Sequence, residues 1–277
     1  MKNIFKVVFC VLFVVMFFSC ASSDEADIEE KSLLFPTQDV DSVSISLYRS
    51  TVEVKLWNKN EIFVIAESRN GEFPVCYING TTLLCKIESG KESNWGKLRV
   101  FVPESFYAQE WRITTVSGPV EVEQLWCDNC EIATTSGSIK LDKCEVRCLD
   151  VSSTSGRIRA DDLVCSGISD FSSTSGSVSI SGFLPQTDIS TTSGAITVEN
   201  FCPFVQDSSM SSLSGAIKLS MPENNGYDLL FSSLSGQVYD EFTSFKGKGS
   251  GTTSYKNGGV KIEAETLSGA IKIKKNN

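Results

Sequence analysis

The sequence predicts an all-β fold: a single-stranded parallel β-helix, or β-solenoid, with coils of roughly twenty residues and an irregular β cap at its N-terminal end. Three observations support this prediction. A Ser-Gly dipeptide recurs at regular intervals, apolar residues flank it at fixed offsets, and helical periodicity is absent after residue 40. The serines of the eight regular copies are Ser117, Ser136, Ser155, Ser175, Ser193, Ser214, Ser235 and Ser268.

The spacing and context of this dipeptide define one repeat unit. Successive serines are 19, 19, 20, 18, 21, 21 and 33 residues apart. Apolar side chains stand four residues before the serine, as in Ile113 and Ile132, and three and five residues after it, as in Val120 and Val122. Because strand side chains alternate with a period of two, the change from even to odd offsets predicts a corner or bulge at the glycine. One unit cannot bury its apolar side alone, so the units should stack as parallel coils.

The N-terminus has the pattern of an export signal. Lys2 and Lys6 precede an unbroken apolar run at residues 7–18, which is too short to span a bilayer and typical of a signal peptide. Residues 1–19 resemble a bacterial lipoprotein signal, with Cys20 as the expected acylation site and an uncleaved apolar anchor as the alternative. Loss of residues 1–19 removes two lysines and changes the formal charge from −9 to −11. Residues 20–40 are predicted to form an acidic, solvated tether.

Two further regions complete the predicted organisation. Residues 41–116 are expected to form an N-terminal β cap or irregular first coils, with a hairpin turn at Asn79-Gly80. Residues 117–277 form the Ser-Gly repeat solenoid, and the last spacing predicts an insertion there, a glycine-rich loop at residues 245–259. Lysines on the terminal strand, residues 271–275, are expected to discourage association of an open solenoid edge.

The same segments carry a resemblance to a known family. The LRVFVP segment, the serial T-x-S-G-x-I units and the closing KIEAETLSGAIKI resemble the bacterial DUF4097/DUF2807 "putative adhesin" β-repeat family over roughly residues 40–277. The resemblance implies a β-helix-like fold and a cell-surface role. It brings no catalytic residues that can be carried over to this sequence.

Composition restricts the chemistry that the chain can perform. The sequence contains no histidine, which excludes the Ser-His-Asp triad, the Cys-His dyad and zinc sites that depend on imidazole. A formal charge of −9 argues against a nucleic-acid partner, because phosphate contacts need a basic surface. No cofactor is expected.

Eight cysteines remain when Cys10, in the signal, and Cys20 are set aside. An even number of cysteines permits disulfides in an exported chain. Counted from the preceding serine, several of them occupy near-equivalent positions on successive coils. Stacked Cα atoms about 4.8 Å apart fall inside the disulfide range. The sequence therefore predicts a Cys130–Cys148 bridge and one bridge among Cys127, Cys144 and Cys165.

Cys76 and Cys85 flank the predicted hairpin turn and form a third candidate pair. Two alternatives remain for the repeat cysteines. The spacing C-x2-C-x13-C-x3-C of residues 127–148 matches a four-thiolate zinc site, although such sites are mostly intracellular. The thiols can also stay reduced and pack as small apolar side chains.

Hydroxyl side chains mark the expected ligand face. If the apolar column four residues before the serine points inward, the columns three residues and one residue before it point outward. A regular hydroxyl face can bind a glycan or another surface, whereas the simpler interpretation is that Ser and Thr suit exposed strands. The residues of this predicted face are Thr135, Ser152, Thr154, Ser172, Thr174, Ser190 and Thr192.

A column of carboxylates stands five residues before the serine on four consecutive coils. Stacked like charges repel, so this column should face solvent or bind a cation. A solvated rim is favoured over a calcium-binding column, because charge runs are usually solvated faces. The residues are Glu131, Asp150, Asp170 and Asp188.

These features predict a non-catalytic, lipid-anchored cell-envelope protein that acts as an adhesin or surface interaction scaffold through its solenoid face. Its expected partners are a membrane, through the anchor, and a glycan or envelope protein. One alternative is a carbohydrate-active β-helix enzyme, which would need carboxylates and a base that converge in one cleft. Another is an envelope-stress or assembly partner of another membrane protein.

Overall fold

The computed structural model describes residues 28–69, 71–87 and 95–276, and the signal segment and Cys20 lie outside this part of the chain. Apart from one 3-10 turn at Thr37–Asp39, its regular elements are strands. The first eleven strands are β1 (Glu29–Pro36), β2 (Ser42–Leu47), β3 (Arg49–Trp57), β4 (Glu61–Ser68), β5 (Val75–Asn79), β6 (Thr82–Lys86), β7 (Trp95–Pro103), β8 (Ala108–Thr115), β9 (Val120–Glu123), β10 (Trp126–Thr134) and β11 (Ile139–Asp142). The others are β12 (Glu145–Ser153), β13 (Ile158–Cys165), β14 (Ile168–Ser173), β15 (Val178–Phe183), β16 (Gln186–Thr191), β17 (Ile196–Asn200), β18 (Ser208–Ser212), β19 (Ile217–Met221), β20 (Gly226–Asp240), β21 (Phe245–Lys256), β22 (Val260–Thr266) and β23 (Ile271–Lys275).

The strands form one continuous sheet that wraps round the core, which confirms the predicted all-β solenoid; its two faces are called the front sheet and the back sheet. The front sheet contains the strands that precede the Ser-Gly corners, in the order β5-β6-β2-β8-β10-β12-β14-β16-β18-β22-β20. The back sheet contains those that follow the corners, in the order β1-β4-β7-β3-β9-β11-β13-β15-β17-β19-β23-β20. Adjacent coils pair in parallel, because the chain runs the same way round each coil. Antiparallel pairs occur only at the two ends among the described residues. One of them joins β1 to β4, so the second half of the predicted solvated tether is a strand of the sheet instead, with Phe35 buried.

The apolar columns predicted from the repeat line the space between these sheets. Ile113, Ile132 and Val151 are directly opposite one another on β8, β10 and β12, and all three are fully buried. The positions after the corner behave in the same way, as Ile139 and Ile158 show on β11 and β13. Burial of these columns along the whole stack supplies the main driving force for the fold.

Coils at both ends depart from chain order. At the N-terminal end, β6 and β7 lie outside β2 and β3, while β8 and β9 continue the stack on the other side. At the C-terminal end, β22 and β23 lie between the β18–β19 coil and β20. The eight Ser-Gly corners therefore form one stack, but the corner at Ser268 is next to Ser214 and the corner at Ser235 is outermost.

Two expectations for the C-terminal end were wrong. Most of the predicted glycine-rich loop at residues 245–259 is strand β21, which pairs antiparallel with residues 226–233 and 238–240 of β20 and closes the end of the rod. As a result β23 is an interior strand, and its lysines do not protect an edge. The outer strand is β21, which carries Lys246, Lys248 and Lys256, so the lysine protection predicted for the last strand lies here.

Glycine is required at the corners because the stacked backbones approach closely. A Cβ atom on Gly137 would lie 2.0 Å from the carbonyl oxygen of Gly118, and one on Gly156 would lie 1.7 Å from that of Gly137. Neither glycine has a left-handed φ. The predicted corner is present. Glycine is needed there because each corner packs closely on the one below and leaves no room for a side chain, and not because the corner requires unusual dihedral angles.

A column of buried hydroxyls supports the same corners from inside. The residue three positions before each glycine is Ser or Thr, and its Oγ accepts a hydrogen bond from the glycine N–H, at 2.8 Å for Ser153 and 2.7 Å for Ser212. Ser212 also donates to the carbonyl of Gly194 on the adjacent coil, at 3.0 Å. These hydroxyls satisfy backbone groups that have no strand partner at the turn, so they belong to the fold rather than to the outer face.

Candidate ligand-binding groove

The outer surface of the front sheet carries the predicted hydroxyl columns. Ser152, Ser172 and Ser190 are opposite one another on β12, β14 and β16, so their side chains repeat at the strand spacing of about 4.8 Å. Thr154 and Thr174 follow at the start of the corner and are exposed. Strand alternation places the buried Ser153 and Ser173 between these two outward-facing columns.

These hydroxyls line an open groove of about 380 Å³, which we call the hydroxyl groove. It crosses four successive coils, and Ser and Thr alone line it. The side chains offer both donors and acceptors, since each hydroxyl has one O–H and two lone pairs. The lining residues are Thr134, Ser152, Ser153, Thr154, Ser172, Ser173, Thr174, Ser190, Thr191 and Thr192.

Six of the seven predicted face residues line this groove, and Thr135 lies outside it at the exposed corner. Thr134, Ser153, Ser173 and Thr191, which the sequence interpretation did not include, also border the groove, but they are buried and their hydroxyls accept hydrogen bonds from the corner glycines. The sequence does contain a signal for these four residues. A Ser or Thr stands two residues before every repeat serine, on the same inward side of the strand as the apolar residue four before it.

The predicted carboxylate column lies beside the groove on the same face. Asp150, Asp170 and Asp188 are opposite one another on β12, β14 and β16. Partial burial, and then the neighbouring carboxylates, raise the pKa of Asp170. Asp188 accepts hydrogen bonds from the Ser209 N–H at 3.0 Å and from its hydroxyl at 2.7 Å.

The fourth member of the column, Glu131, forms an ion pair with Arg112 at 3.0 Å. In the part of the chain that the structure describes, no three Cys, Asp or Glu side chains converge on a point where they could hold a metal ion. The column therefore has the geometry of parallel side chains along a sheet, which differs from the enclosed oxygen cage that calcium requires.

Strand register separates the cysteines that were predicted to bridge coils. Cys130 is opposite Leu149, while Cys148 is opposite Asn129, one residue away. One residue along a strand reverses the direction of the side chain, so Cys130 is buried and Cys148 is partly exposed. Cys130 stands 13 residues after its preceding repeat serine and Cys148 stands 12 residues after its own, and strand geometry does not tolerate this difference of one residue. The same separation removes Cys148 from the proposed four-thiolate zinc site.

The remaining repeat cysteines also lack a stacked partner. Cys127 and Cys165 share one column, but Val146 lies between them. Cys144 stands two residues earlier on its coil, so it belongs to a different column. Burial raises the pKa of Cys144 to about 12 and that of Cys165 to about 11, which keeps both thiols protonated and unreactive near neutral pH.

Cys76 and Cys85 are the one predicted pair that the structure brings together. They are opposite each other on the antiparallel strands β5 and β6, with the turn at Gly80 between them. Counting from the turn makes them a non-hydrogen-bonded pair, whose Cα atoms lie about 4.5 Å apart. A hydrogen bond between the two thiols, together with burial, raises the pKa of Cys85 well above its ordinary value.

We expect Cys76 and Cys85 to form a disulfide when the folded chain is incubated with a small-molecule disulfide such as oxidised glutathione, which is reduced to two molecules of glutathione as the bond forms. Alkylation without reduction, followed by mass spectrometry, should find the two peptides linked, while Cys144 and Cys165 are alkylated only after unfolding. Cys76→Ser is the control and should leave Cys85 as a thiol. Ready alkylation of Cys76 in the oxidised wild-type protein would contradict the prediction.

The fold and the groove define the class of protein. It is an elongated parallel β-solenoid with a hydroxyl groove on the outer face of its front sheet. No helix within the described residues is long and apolar enough to cross a membrane. The family model for Toastrack DUF4097 matches residues 36–274, and the chain belongs to this family. The match agrees with the resemblance that the repeat units indicated.

Solved structures share the fold at low sequence identity. A "putative lipid binding protein" from Parabacteroides distasonis is 15% identical, with 91% of this chain and 97% of that chain covered and a TM-score of 0.52. A "putative adhesin" from the same organism is 10% identical, with 91% and 98% covered and a TM-score of 0.50. No curated protein matches the sequence. At these identities the similarity establishes the fold alone.

Proposed function

We propose that this protein is a non-catalytic, lipid-anchored cell-envelope protein that acts as an adhesin-like scaffold and binds a glycan in the hydroxyl groove. The observation that carries this proposal is the groove itself, a surface of Ser and Thr side chains that repeats over four coils beside three aspartates. Proteins of the same fold include one described as a "putative adhesin", which supports a surface role.

The chemistry of the groove suits sugar hydroxyl groups. Each outward-facing Ser or Thr can donate one hydrogen bond and accept others, and the neighbouring carboxylates are strong acceptors. Four coils at about 4.8 Å each give a groove roughly 15 Å long, which accommodates several sugar units in a row. A repeating ligand fits this repeating surface better than a compact metabolite, because the groove is open along its length.

The arrangement of the carboxylates supports a binding role over catalysis. A glycoside hydrolase uses two carboxyl groups that flank one bond, with one of them positioned as an acid. Here the aspartates stand side by side in a row along the rod, on one side of the groove. The row offers acceptors to a ligand, but it does not place two carboxyl groups on opposite sides of a bond.

A binding experiment tests the proposal. The full chain, purified in detergent, should bind oligosaccharides on a glycan array, and the strongest of them should then be titrated. Ser172→Ala with Thr174→Ala should weaken binding roughly tenfold, because each lost hydrogen bond contributes about 0.5–1.5 kcal/mol. Ser211→Ala is the matched control, since Ser211 occupies the same column one coil beyond the groove.

Two results would overturn the proposal. Equal losses in the groove variant and in Ser211→Ala would show that the groove is not the binding site, and no binding to any glycan would remove the ligand class. Release of reducing ends from a bound polysaccharide, lost on substitution of Asp150 and Asp170, would replace the scaffold with an enzyme.

A further inference from the structure

We propose that the last three coils form a docking surface for an anionic lipid bilayer, separate from the hydroxyl groove. Two adjacent features define this surface. The leucine ridge consists of Leu213, Leu267 and Leu234 at the corners of the final coils. The lysine column consists of Lys218, Lys272 and Lys246 on the outer face of the back sheet in the same coils and in β21.

The leucine ridge is a contiguous apolar edge. Its three leucines are adjacent because of the order in which the coils stack, which differs from their order along the chain. The Leu267 N–H donates to the Leu213 carbonyl at 3.1 Å, and the Ser235 N–H donates to the Leu267 carbonyl at 3.1 Å, so the three corners are direct neighbours. Leu213, Leu267 and Leu234 are 49%, 47% and 80% exposed. In the coils of the groove the same position is threonine, and at the first corner it is Val116, which is 37% exposed, so leucine at this position is confined to the last three coils.

The lysine column is a basic strip on an acidic protein. Lys218 is opposite Lys272, which is opposite Tyr239, which is in turn opposite Lys246. Within the described residues none of these three lysines has a carboxylate within ion-pair distance, whereas Lys97, Lys256 and Lys275 each have one. Like charges at strand spacing repel, and an anionic partner would remove that cost.

The insertion of β22 and β23 brings the two features together. Two copies of the segment LSGAIK, at residues 213–218 and 267–272, become neighbours although about fifty residues separate them in the chain. Each copy places its leucine at the corner and its lysine on the adjacent back face, with a small alanine between them. The result is one edge that is apolar along its corner and basic beside it, with the partly exposed Tyr239 in the basic column.

An anionic bilayer fits this edge better than a protein partner does. Leucine side chains enter the boundary of the acyl chains, while lysines extend to anionic headgroups and tyrosine prefers the interface between them. A stable protein interface buries about 800 Å² on each partner around a central apolar core. Three leucines in a single row form a narrow edge that can enter a bilayer but cannot supply such a core.

Site-specific photo-crosslinking tests the proposal with the full chain. A diazirine leucine analogue is placed at position 234, and the protein is reconstituted in vesicles of phosphatidylcholine with or without phosphatidylglycerol. The matched control carries the analogue at position 154, which occupies the equivalent corner in the groove region. We expect a lipid adduct at position 234 that depends on phosphatidylglycerol and is absent at position 154.

Charge variants extend the test. Lys218→Gln with Lys272→Gln should lower the adduct yield roughly fivefold for each lysine removed, without lowering the melting temperature, because both side chains are exposed and their mutual repulsion is removed. An adduct to protein instead of lipid would assign the edge to a second copy or another partner and overturn the proposal. Equal lipid adducts at positions 154 and 234, adducts that do not depend on phosphatidylglycerol, or no adduct would also overturn it. Because position 234 lies outside the groove, these outcomes do not depend on whether a glycan binds.

Discussion

Replacing Gly176 with alanine should destabilise the solenoid by about 4 kcal/mol or more, which is a large part of the stability of an ordinary domain. The added Cβ would lie 1.8 Å from the carbonyl oxygen of Gly156 and 2.6 Å from its carbonyl carbon. Both are backbone atoms of the coil below, so no side-chain rotation can relieve the contact. The corner must move outward, which also breaks the hydrogen bond from the Gly176 N–H to Ser173 at 2.9 Å.

Urea denaturation followed by circular dichroism measures this effect. Ser175→Ala is the matched control: it makes an alanine at the adjacent corner position, where the side chain is exposed, and should change the free energy of unfolding by less than about 0.5 kcal/mol. If Gly176→Ala were as stable as Ser175→Ala, the corner could relax without cost. Close stacking would then not be the reason for glycine at this position.

The corner glycine also shows which features of the fold the sequence can predict. The recurrence of Ser-Gly, with apolar residues at fixed offsets, was enough to predict stacked coils and the inward columns. Each repeat has its own copy of the same local pattern, so errors in one copy are corrected by the others. The reason for the glycine could not be predicted, because close approach between coils depends on how neighbouring turns stack and has no signature within a single turn.

The order of the final coils and the cysteine pairs could not be obtained in the same way. Chain order is the natural expectation for a solenoid, but β21 reverses direction and leaves room for β22 and β23 inside β20. The pattern FKGKGSGTTSYK has too many glycines to predict a strand, and its pairing with β20 overrides that local preference. Disulfide geometry is more demanding still, since an error of one residue reverses the side chain.

Alanine at Asp240 should destabilise the C-terminal end by about 3–5 kcal/mol, because it leaves buried donors without an acceptor. Asp240 is fully buried at a position where the other repeats have an apolar side chain. Its carboxylate accepts hydrogen bonds from the Tyr227 hydroxyl at 2.7 Å, the Phe242 N–H at 3.0 Å and the Thr243 hydroxyl at 2.8 Å. These contacts join β20 to the turn that leads into β21, so their loss should loosen the strand that closes the rod.

A more conservative change separates the hydrogen bond from the packing. Tyr227→Phe keeps the ring against Phe242 but removes one donor to Asp240, and should cost about 1.5–3 kcal/mol as the loss of a hydrogen bond to a charged group. Asp240→Asn is the matched control for shape and should cost less than Asp240→Ala, because it retains an acceptor for the tyrosine. Equal stability of Asp240→Ala and wild type in chemical denaturation would contradict this account of the closing strand.

The pH dependence gives an independent measure of the same contact. Burial, followed by the hydrogen bond to Asp240, raises the pKa of Tyr227 above its ordinary value near 10. The unfolded chain therefore loses this proton at a lower pH than the folded chain, so its contribution to stability is complete below pH 10 and is lost as the pH rises further. The slope can reach about 1.4 kcal/mol per pH unit for one proton. Wild type should lose stability above pH 10 more steeply than Tyr227→Phe, and identical slopes would show that Tyr227 is not held protonated by the fold.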